Sequence, residues 1–293
     1  MIHPQAVGER ILIYGRMIKF SHTLFALPFA LAAVVLAQRE NPLTVGNLFW
    51  LLMAMIGARS AAMGFNRIAD VAIDSKNPRT SQREIPTGRL SRQSTVVFVA
   101  LFSGLFVLAA SRFGALCFYL SVPILILLFA YSYTKRFTIL CHLCLGFAIS
   151  MAPLGAWIAL TNSLDWPIFV LSGALMTYIA GFDTLYACQD AVFDRKVGLY
   201  SIPARFGIAG ALALARGLHL VSMLFFVWMY FAFQMGHVYL GAVCVIGALM
   251  ITEHCLVKPD DLSHIHVAFF HMNSLISLVV FLGVFLDELL RGA

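Results

Sequence analysis

The sequence predicts an all-α, polytopic membrane protein with about nine transmembrane helices. Of its 293 residues, 61% are hydrophobic and only 12% are charged, whereas a soluble domain has about 25% charged residues. The mean hydropathy is +0.88, and apolar runs of about 20 residues, the length that spans a bilayer, recur from end to end. We therefore expect residues 1–293 to form a single integral-membrane domain without a disordered linker.

Short polar segments separate the predicted spans. The third and fourth spans are the hardest to divide, because only Arg112 and Phe113 lie between two apolar runs. Each predicted boundary is accurate to about three residues. The spans cover residues 20–37, 47–73, 94–111, 114–134, 138–161, 166–190, 208–232, 236–253 and 266–287.

Basic residues are distributed unequally between the two ends of these spans. If the N-terminus is cytoplasmic, fifteen of the 20 Lys and Arg residues face the cytoplasm, as the positive-inside rule requires. The opposite face then holds only Arg39, Arg112 and Arg291, and the segments 75–93 and 195–207 are cytoplasmic. The net charge of +6 reflects this bias and attraction to anionic lipid, so it does not imply binding to nucleic acid.

Two pairs of aspartates stand at the cytoplasmic ends of predicted spans. Carboxylates this close to hydrocarbon are costly and usually functional, and neighbouring like charges favour protonation. A divalent cation removes that cost, and Mg²⁺ is commonly held by one or two carboxylates plus substrate phosphate. We predict that the ligands of Mg²⁺ are Asn66, Asp70, Asp74, Asp190 and Asp194.

Each pair belongs to a polar stripe. At about 100° per residue, Asn66, Asp70 and Asp74 lie one turn apart along a single helical stripe, with Arg59 on the same stripe. The other helix offers a similar face, formed by Asp183, Tyr186, Asp190 and Asp194. Both pairs lead into a basic segment that contains Ile-Pro, which suggests a faint internal repeat; coincidence between two short polar loops is the alternative.

Basic and hydroxyl side chains close to the aspartates suit a phosphorylated ligand. Arg offers a planar fork and Lys a point charge to phosphate oxygens, and Tyr131 and Tyr133 could add hydroxyl donors. The same cations are also expected at cytoplasmic span ends without any site. The candidate ligand-binding residues are Arg59, Arg79, Arg83, Lys135, Arg136, Asp183, Tyr186 and Lys196.

Some alternatives stay open at this point. Asp70 could form a structural ion pair with Arg67, and Asp183 could join a metal shell, handle protons or pair with Arg59. The six cysteines are interpreted as packing residues, because the Cys-His-Leu-Cys segment at 141–144 lacks a second ligand pair at zinc spacing. Among the scattered histidines, His22 is a weaker site candidate.

These motifs resemble those of the UbiA superfamily of intramembrane prenyltransferases. The family has an Asn followed by two Asp at four-residue spacing and a second Asp pair, matched here by Asn66 to Asp74 and by Asp190 with Asp194. Arg67 stands where many members have Asp, but the spacing is retained. The segments Asn77-Pro-Arg-Thr80 and Tyr133-x-Lys-Arg136 also look like the family.

The resemblance implies a fold and a reaction. The family fold is a ring of nine helices around a central cavity that opens to lipid. Its catalytic aspartates, here Asp70, Asp74, Asp190 and Asp194, hold Mg²⁺ against the diphosphate of a polyprenyl donor. The implied acceptor is a small hydroxylated aromatic acid, 4-hydroxybenzoate or a dihydroxynaphthoate, on the way to ubiquinone or menaquinone. Arg59 could pair with its carboxylate, and a carboxylate or diphosphate could take the ring proton.

The resemblance also implies a bacterial inner-membrane protein surrounded by lipid, with no obligate protein partner. Two other functions stay possible on the sequence. One is a haem or chlorophyll-type prenyltransferase of the same superfamily, which acts on a macrocycle. The other is a proton-coupled transporter, in which intramembrane acids relay protons.

Overall fold

The computed structural model describes residues 4–19, 23 and 25–291, and this part of the chain contains helices, turns and loops but no strand. A 3₁₀ turn at Cys188–Asp190 and a π-helix at Val267–Met272 interrupt the α-helical pattern. The α-helices are α1 (Pro4–Met17), α2 (Leu27–Ala37), α3 (Val45–Ala69), α4 (Val71–Asp74), α5 (Arg92–Ser111), α6 (Ala115–Thr134), α7 (Cys141–Thr161), α8 (Trp166–Ala187), α9 (Ala191–Val197), α10 (Ile202–Ala232), α11 (His237–Leu256) and α12 (Asn273–Arg291).

The prediction of an all-helical membrane protein is confirmed. Within the described residues, eight helical segments are long and apolar enough to cross a membrane. The shorter apolar helix α2 corresponds to the first predicted span, whose start at residues 20–22 and 24 lies outside the described part. Helix α5 ends at Ser111 and α6 begins at Ala115, so the narrow division between the third and fourth spans is real.

The chain divides into two compact units. The first contains residues 1–23 and 48–133, and the second contains residues 24–47 and 134–293. Each aspartate motif belongs to a different unit. The single domain expected over 1–293 stays a prediction.

In the first unit, α3 packs closely against its neighbours through small residues. A Cβ placed on Gly57 would lie 2.8 Å from the backbone nitrogen of Phe106 in α5, so the two backbones are almost in contact at this position. Phe65 of α3 stacks on Phe129 of α6, with ring centroids 4.3 Å apart. This packing, typical of membrane helices, brings the C-terminal halves of α3 and α6 together.

In the second unit, each helix has two principal neighbours, and the neighbours form a closed cycle. Going round, α2 packs on α7, then α7 on α8, α8 on α10, α10 on α11, α11 on α12 and α12 on α2. Gly146 allows a close backbone approach, since a Cβ there would overlap the carbonyl oxygen of Met176. Most of α8 is therefore buried, and its few open positions are informative about the site.

Candidate functional site

The first aspartate motif contains a break in the helix. Helix α3 ends at Ala69, and α4 begins after Asp70, whose φ of −94° and ψ of 0° lie in the sparsely populated bridge region where many active-site residues are found. The helix is therefore distorted at Asp70, although the N–H of Asp70 still donates to the Asn66 carbonyl and that of Asp74 to the Asp70 carbonyl. Asp is a weak helix former because its short carboxylate competes for backbone hydrogen bonds. Across the break, the Asn66 amide donates to Asp70 Oδ2 and to Ser132 Oγ, each at 3.3 Å.

Asp74 is buried and has a counter-charge within its own unit. Its two carboxylate oxygens each lie 2.7 Å from Arg83 Nη1. The segment between them folds back in short turns, in which the Thr80 hydroxyl donates to the Asp74 carbonyl and the Arg79 amide donates to Asn77 Oδ1. The loop is thus built to return Arg83 to the aspartate nine residues before it.

Further cations surround this motif. Burial, followed by the fields of Arg67, Arg83 and Arg79, lowers the pKa of Lys19 to about 8. Arg67 is itself buried, and it donates to the Met17 carbonyl and to Asn66 Oδ1. Neither Lys19 nor Arg67 is among the predicted site residues. The sequence signal available for Arg67 is an arginine inside an apolar helix.

Arg59 lies on α3, closer to the N-terminus of that helix than Asn66. Its Nη2 donates to the Lys19 carbonyl at 3.0 Å, and within the described residues its buried Nε has no hydrogen-bond partner. The hydroxyl-bearing Tyr131 is close enough to Arg59, Arg67 and Asp70 for electrostatic interaction. The first unit therefore gathers its predicted aspartates and arginines at one place.

The second motif has the same backbone break. Asp190 closes the 3₁₀ turn after α8, with φ of −98° and ψ of 0°, almost the angles of Asp70. Helix α9 then carries Asp194 in its first turn and ends at Gly198, which is left-handed at φ 74°. The faint repeat seen in the sequence is therefore a repeat of local structure. The 3₁₀ turn lies at the end of the predicted span 166–190, which belongs to one apolar helical segment, Trp166–Val197.

Asp194 lies among groups from three segments of its unit. Ser201 hydrogen-bonds its side chain, and Asp190, Lys135 and His142 are within electrostatic range. The backbone joins these segments too, because the amide of Tyr200 donates to the carbonyl of Lys135 at 2.7 Å. The predicted cation Lys135 is thus placed beside the second aspartate pair.

Asp183 contacts a residue that the sequence analysis did not select. Its Oδ2 lies 2.7 Å from Nδ1 of His142 on α7. From the sequence, the cysteines on either side of His142 are interpreted as packing residues, and His142 itself has no predicted role; its sequence signal is a polar side chain in an apolar span. One turn along α8, Tyr186 stacks on Phe269 with centroids 3.9 Å apart.

The remaining predicted cations are more open. Arg79, Arg136 and Lys196 are exposed, as is the side chain of Tyr133. Exposed cations at helix ends serve topology as well as ligand binding. Their position close in sequence to each motif is compatible with both roles.

The carboxylate and amide oxygens of the two motifs fit a hard divalent cation that a bound ligand also coordinates. Among the described residues, no three His, Cys, Asp or Glu side chains are placed to hold a metal by themselves. Each motif instead offers two carboxylates, and Mg²⁺ is usually bound by one or two carboxylates plus substrate phosphate. An ionised carboxylate has about four lone-pair sites, so the contact with Arg83 still leaves Asp74 able to bind a metal.

Comparison with known proteins identifies the family. Residues 26–275 match the model of the UbiA prenyltransferase family. The chain belongs to the UbiA prenyltransferase family. It is an integral membrane prenyltransferase, which removes the transporter hypothesis.

Relatives and solved structures agree with this assignment. The chain is 31% identical over 267 residues to a protein named 4-hydroxybenzoate octaprenyltransferase from Vibrio atlanticus, covering 90% of this chain and 92% of the relative. The apo structure of a UbiA homolog from Aeropyrum pernix K1 has a TM-score of 0.83 and 28% identity, covering 91% of this chain and 98% of that one. A UbiA homolog from Archaeoglobus fulgidus, solved with GPP and Mg²⁺, shares the fold with a TM-score of 0.69 at 16% identity, covering 93% and 99%.

Proposed function

We propose that this UbiA-family enzyme transfers a polyprenyl group from polyprenyl diphosphate to a small hydroxylated aromatic acid. The observation that carries the proposal is the repeated motif: two aspartate pairs with the same break at the first Asp, each beside basic side chains. The relative named 4-hydroxybenzoate octaprenyltransferase supports a small aromatic acid over a macrocycle. Ubiquinone or menaquinone synthesis is the pathway proposed.

The metal is Mg²⁺ in this proposal. Asn66, Asp70 and Asp74 in one unit, and Asp190 and Asp194 in the other, supply the oxygen ligands. When bound, Mg²⁺ would neutralise the diphosphate and make it a better leaving group. Support comes from the donor chemistry of both motifs and from the related archaeal protein that was solved with GPP and Mg²⁺.

The basic residues stabilise the charge that develops on the departing diphosphate. Arg83 is the best placed in its unit, because Asp74 already orients its guanidinium. Lys19, Arg67 and Arg79 add positive field around it. Lys135 acts beside Asp194 in the second unit, and the exposed Arg136 and Lys196 contribute less. Fixed cations at the position where charge develops are a large source of catalysis.

The acceptor is an electron-rich ring with a carboxylate. The buried Nε of Arg59 is a donor that a carboxylate could satisfy, and a buried donor left without a partner costs about 1–3 kcal/mol. The ring carbon beside the hydroxyl attacks the allylic carbon as the bond to diphosphate breaks. Tyr186 and Phe269 offer a flat aromatic surface in the second unit.

The proposed location is the bacterial inner membrane. The N-terminus and the segments 75–93 and 195–207 face the cytoplasm, where both substrates' polar ends are available. Polyprenyl diphosphate, the aromatic acid and lipid are the only partners proposed.

A cysteine introduced at Gln82 in a background without native cysteines should react with an impermeant reagent from the cytoplasmic side alone.

The test is turnover by the purified protein in detergent. Polyprenyl diphosphates of several lengths are offered with 4-hydroxybenzoate, dihydroxynaphthoates and protohaem, with Mg²⁺ or with EDTA. The proposal predicts a prenylated aromatic acid, formed only with the metal. Prenylation of the macrocycle alone, or no product from any aromatic acid, would contradict it.

A further inference from the structure

Helix α8 has one open stripe in its second half. Its residues from Thr177 to Leu185 are all buried except Asp183, and beyond them Tyr186 and Asp190 are partly open at helical spacing from Asp183, as are Ala187 and Gln189. The Asp183 side chain is 25% exposed. A carboxylate on the open stripe of an otherwise buried membrane helix is placed to meet a ligand.

The hydrogen bonds of His142 define its tautomer. Its Nε2 accepts from the backbone N–H of Ile202, although this bond is long at 3.4 Å. A ring nitrogen that accepts a hydrogen bond carries no proton, so in neutral imidazole the proton is on Nδ1. Nδ1 is the atom 2.7 Å from Asp183. His142 therefore donates to the carboxylate, which is the acceptor.

This chain of bonds favours an ionised Asp183. The N–H of Ile202 stands at the start of α10, where the first backbone donors lack helical partners, and the buried imidazole joins this donor to the carboxylate. Within the described residues, no Lys or Arg lies within ion-pair distance of Asp183, and His142 is the titratable side chain that contacts it. The contact with His142 holds the carboxylate in place, and the Asp183 side chain keeps part of its surface open.

The geometry points to Asp183 as the group that receives the acceptor's hydroxyl, with His142 as the positioning residue that holds it. This inference rests on the proposed function and deepens it. An ionised carboxylate accepts a hydrogen bond from a phenol and repels a carboxylate, so it selects the hydroxyl end of a hydroxylated aromatic acid. Drawing the proton from oxygen raises the electron density on the neighbouring ring carbon, which is the nucleophile.

The step balances as follows. The ring carbon forms a bond to the allylic carbon, the carbon–oxygen bond breaks, and diphosphate leaves with the electron pair. The hydroxyl proton passes to Asp183, which gives a neutral dienone. The proton on the substituted ring carbon is then lost to diphosphate or water, and Asp183 returns its proton to the oxygen as the ring becomes aromatic again.

The test uses near-isosteric variants and separate kinetics for the two substrates. Asp183→Asn should lower kcat/KM for the acceptor by about 10²–10⁴-fold, the range of general acid–base catalysis, and leave donor KM within about twofold. A phenol that is already ionised needs no base, so the variant should regain activity as pH rises through the ionisation of the acceptor hydroxyl. The wild type should not show that rise.

His142 is tested with two amides of similar polarity. Asn places its amide nitrogen near the position of Nδ1 and Gln near that of Nε2, so His142→Asn should stay close to wild type while His142→Gln loses about tenfold in acceptor kcat/KM. The matched control is Asp165→Asn. Asp165 also accepts from a ring N–H on α7, that of Trp157 at 3.0 Å, but at the other end of α7 and α8, and its variant should keep full activity.

Three results would overturn the inference while leaving the proposed function intact. The first is an active wild type whose Asp183→Asn variant stays within threefold of it at neutral pH. The second is a variant in which only the KM for the donor changes. The third is a loss of acceptor kcat/KM that higher pH does not relieve. Equal activity of His142→Asn and His142→Gln would remove the positioning role. A wild type that prenylates no hydroxylated aromatic acid would overturn the proposed function and this inference together.

Discussion

The two aspartate motifs share a backbone but differ in their surroundings. Asp70 and Asp190 adopt nearly the same bridge-region angles, and each is followed by a second aspartate four residues later. Asp70 and Asp74 are 2% and 4% exposed, and Arg83 contacts both oxygens of Asp74. Asp190 and Asp194 are half-buried, and Asp194 has a serine hydroxyl with Lys135 nearby.

The two motifs share their backbone geometry but differ in the charges that surround the aspartates. A helix break at the first aspartate is common to both motifs, and in the proposed function this shared geometry serves metal binding. An internal counter-ion is present in the first motif, which therefore keeps its shape before a ligand arrives. The second motif is more open to solvent, with Lys135 within electrostatic range of Asp194.

The largest effect is expected from removing one ligand charge in either motif. Asp70→Asn and Asp190→Asn should each reduce turnover by at least about a hundredfold, because a lost electrostatic stabiliser of the transition state typically costs that much. Asp261→Asn, in an exposed loop, is the control. If either ligand variant kept activity within a few-fold of wild type in the same detergent, the two motifs would not be equivalent.

The second effect concerns the basic residues of the two motifs. Arg83→Ala should weaken use of the prenyl diphosphate about ten- to hundredfold, since a hydrogen bond to a charged group contributes about 1.5–3 kcal/mol. Lys196→Ala should cost less than about threefold, because exposed charges contribute little. Steady-state kinetics with each substrate varied in turn measure both. A larger loss for Lys196 would place the principal phosphate contact in the second motif.

The third effect is on stability without ligand. Asp74→Asn should lower the melting temperature in EDTA, because it leaves Arg83 without its counter-charge, whereas Asp194→Asn should change it little. The expected difference between the two variants in the free energy of unfolding is about 1–2 kcal/mol. This is less than the cost of breaking a fully buried ion pair, because Arg83 is 20% exposed. Equal melting temperatures would show that the ion pair does not stabilise the first motif.

The smallest effect is a pH dependence of donor binding. With a pKa lowered to about 8, Lys19 is mostly charged at pH 7 and mostly neutral at pH 9. Donor affinity should therefore fall about three- to tenfold as pH rises through 8, and Lys19→Arg, which stays charged, should abolish the fall. The pH dependence of folding stability has the opposite sign. Burial of the charged Lys19 destabilises the fold below pH 8, and this cost is relieved between pH 8 and 10.5. An unchanged profile in Lys19→Arg would exclude Lys19 from the donor site.

Much of this fold was predictable because hydrophobic length determines membrane spans. The apolar runs located most of the membrane-crossing helices to within a few residues, although α10 begins at Ile202 rather than at 208 and α1 was not predicted. The four-residue spacing located the aspartates. Periodicity could not show the breaks at Asp70 and Asp190, since an ideal helix was assumed throughout. It also missed His142 and Lys19, whose importance depends on contacts with Asp183 and with a cluster of arginines that are distant in sequence.

The central claim is that both motifs hold a metal-bound diphosphate. It is tested most directly by the binding of a non-reactive prenyl thiodiphosphate to the purified protein, measured calorimetrically with and without Mg²⁺. We predict binding by the wild type only with Mg²⁺, and at least about a tenfold loss of affinity in Asp70→Asn and in Asp190→Asn. Binding that ignores Mg²⁺, or that survives unchanged in either variant, would contradict the claim.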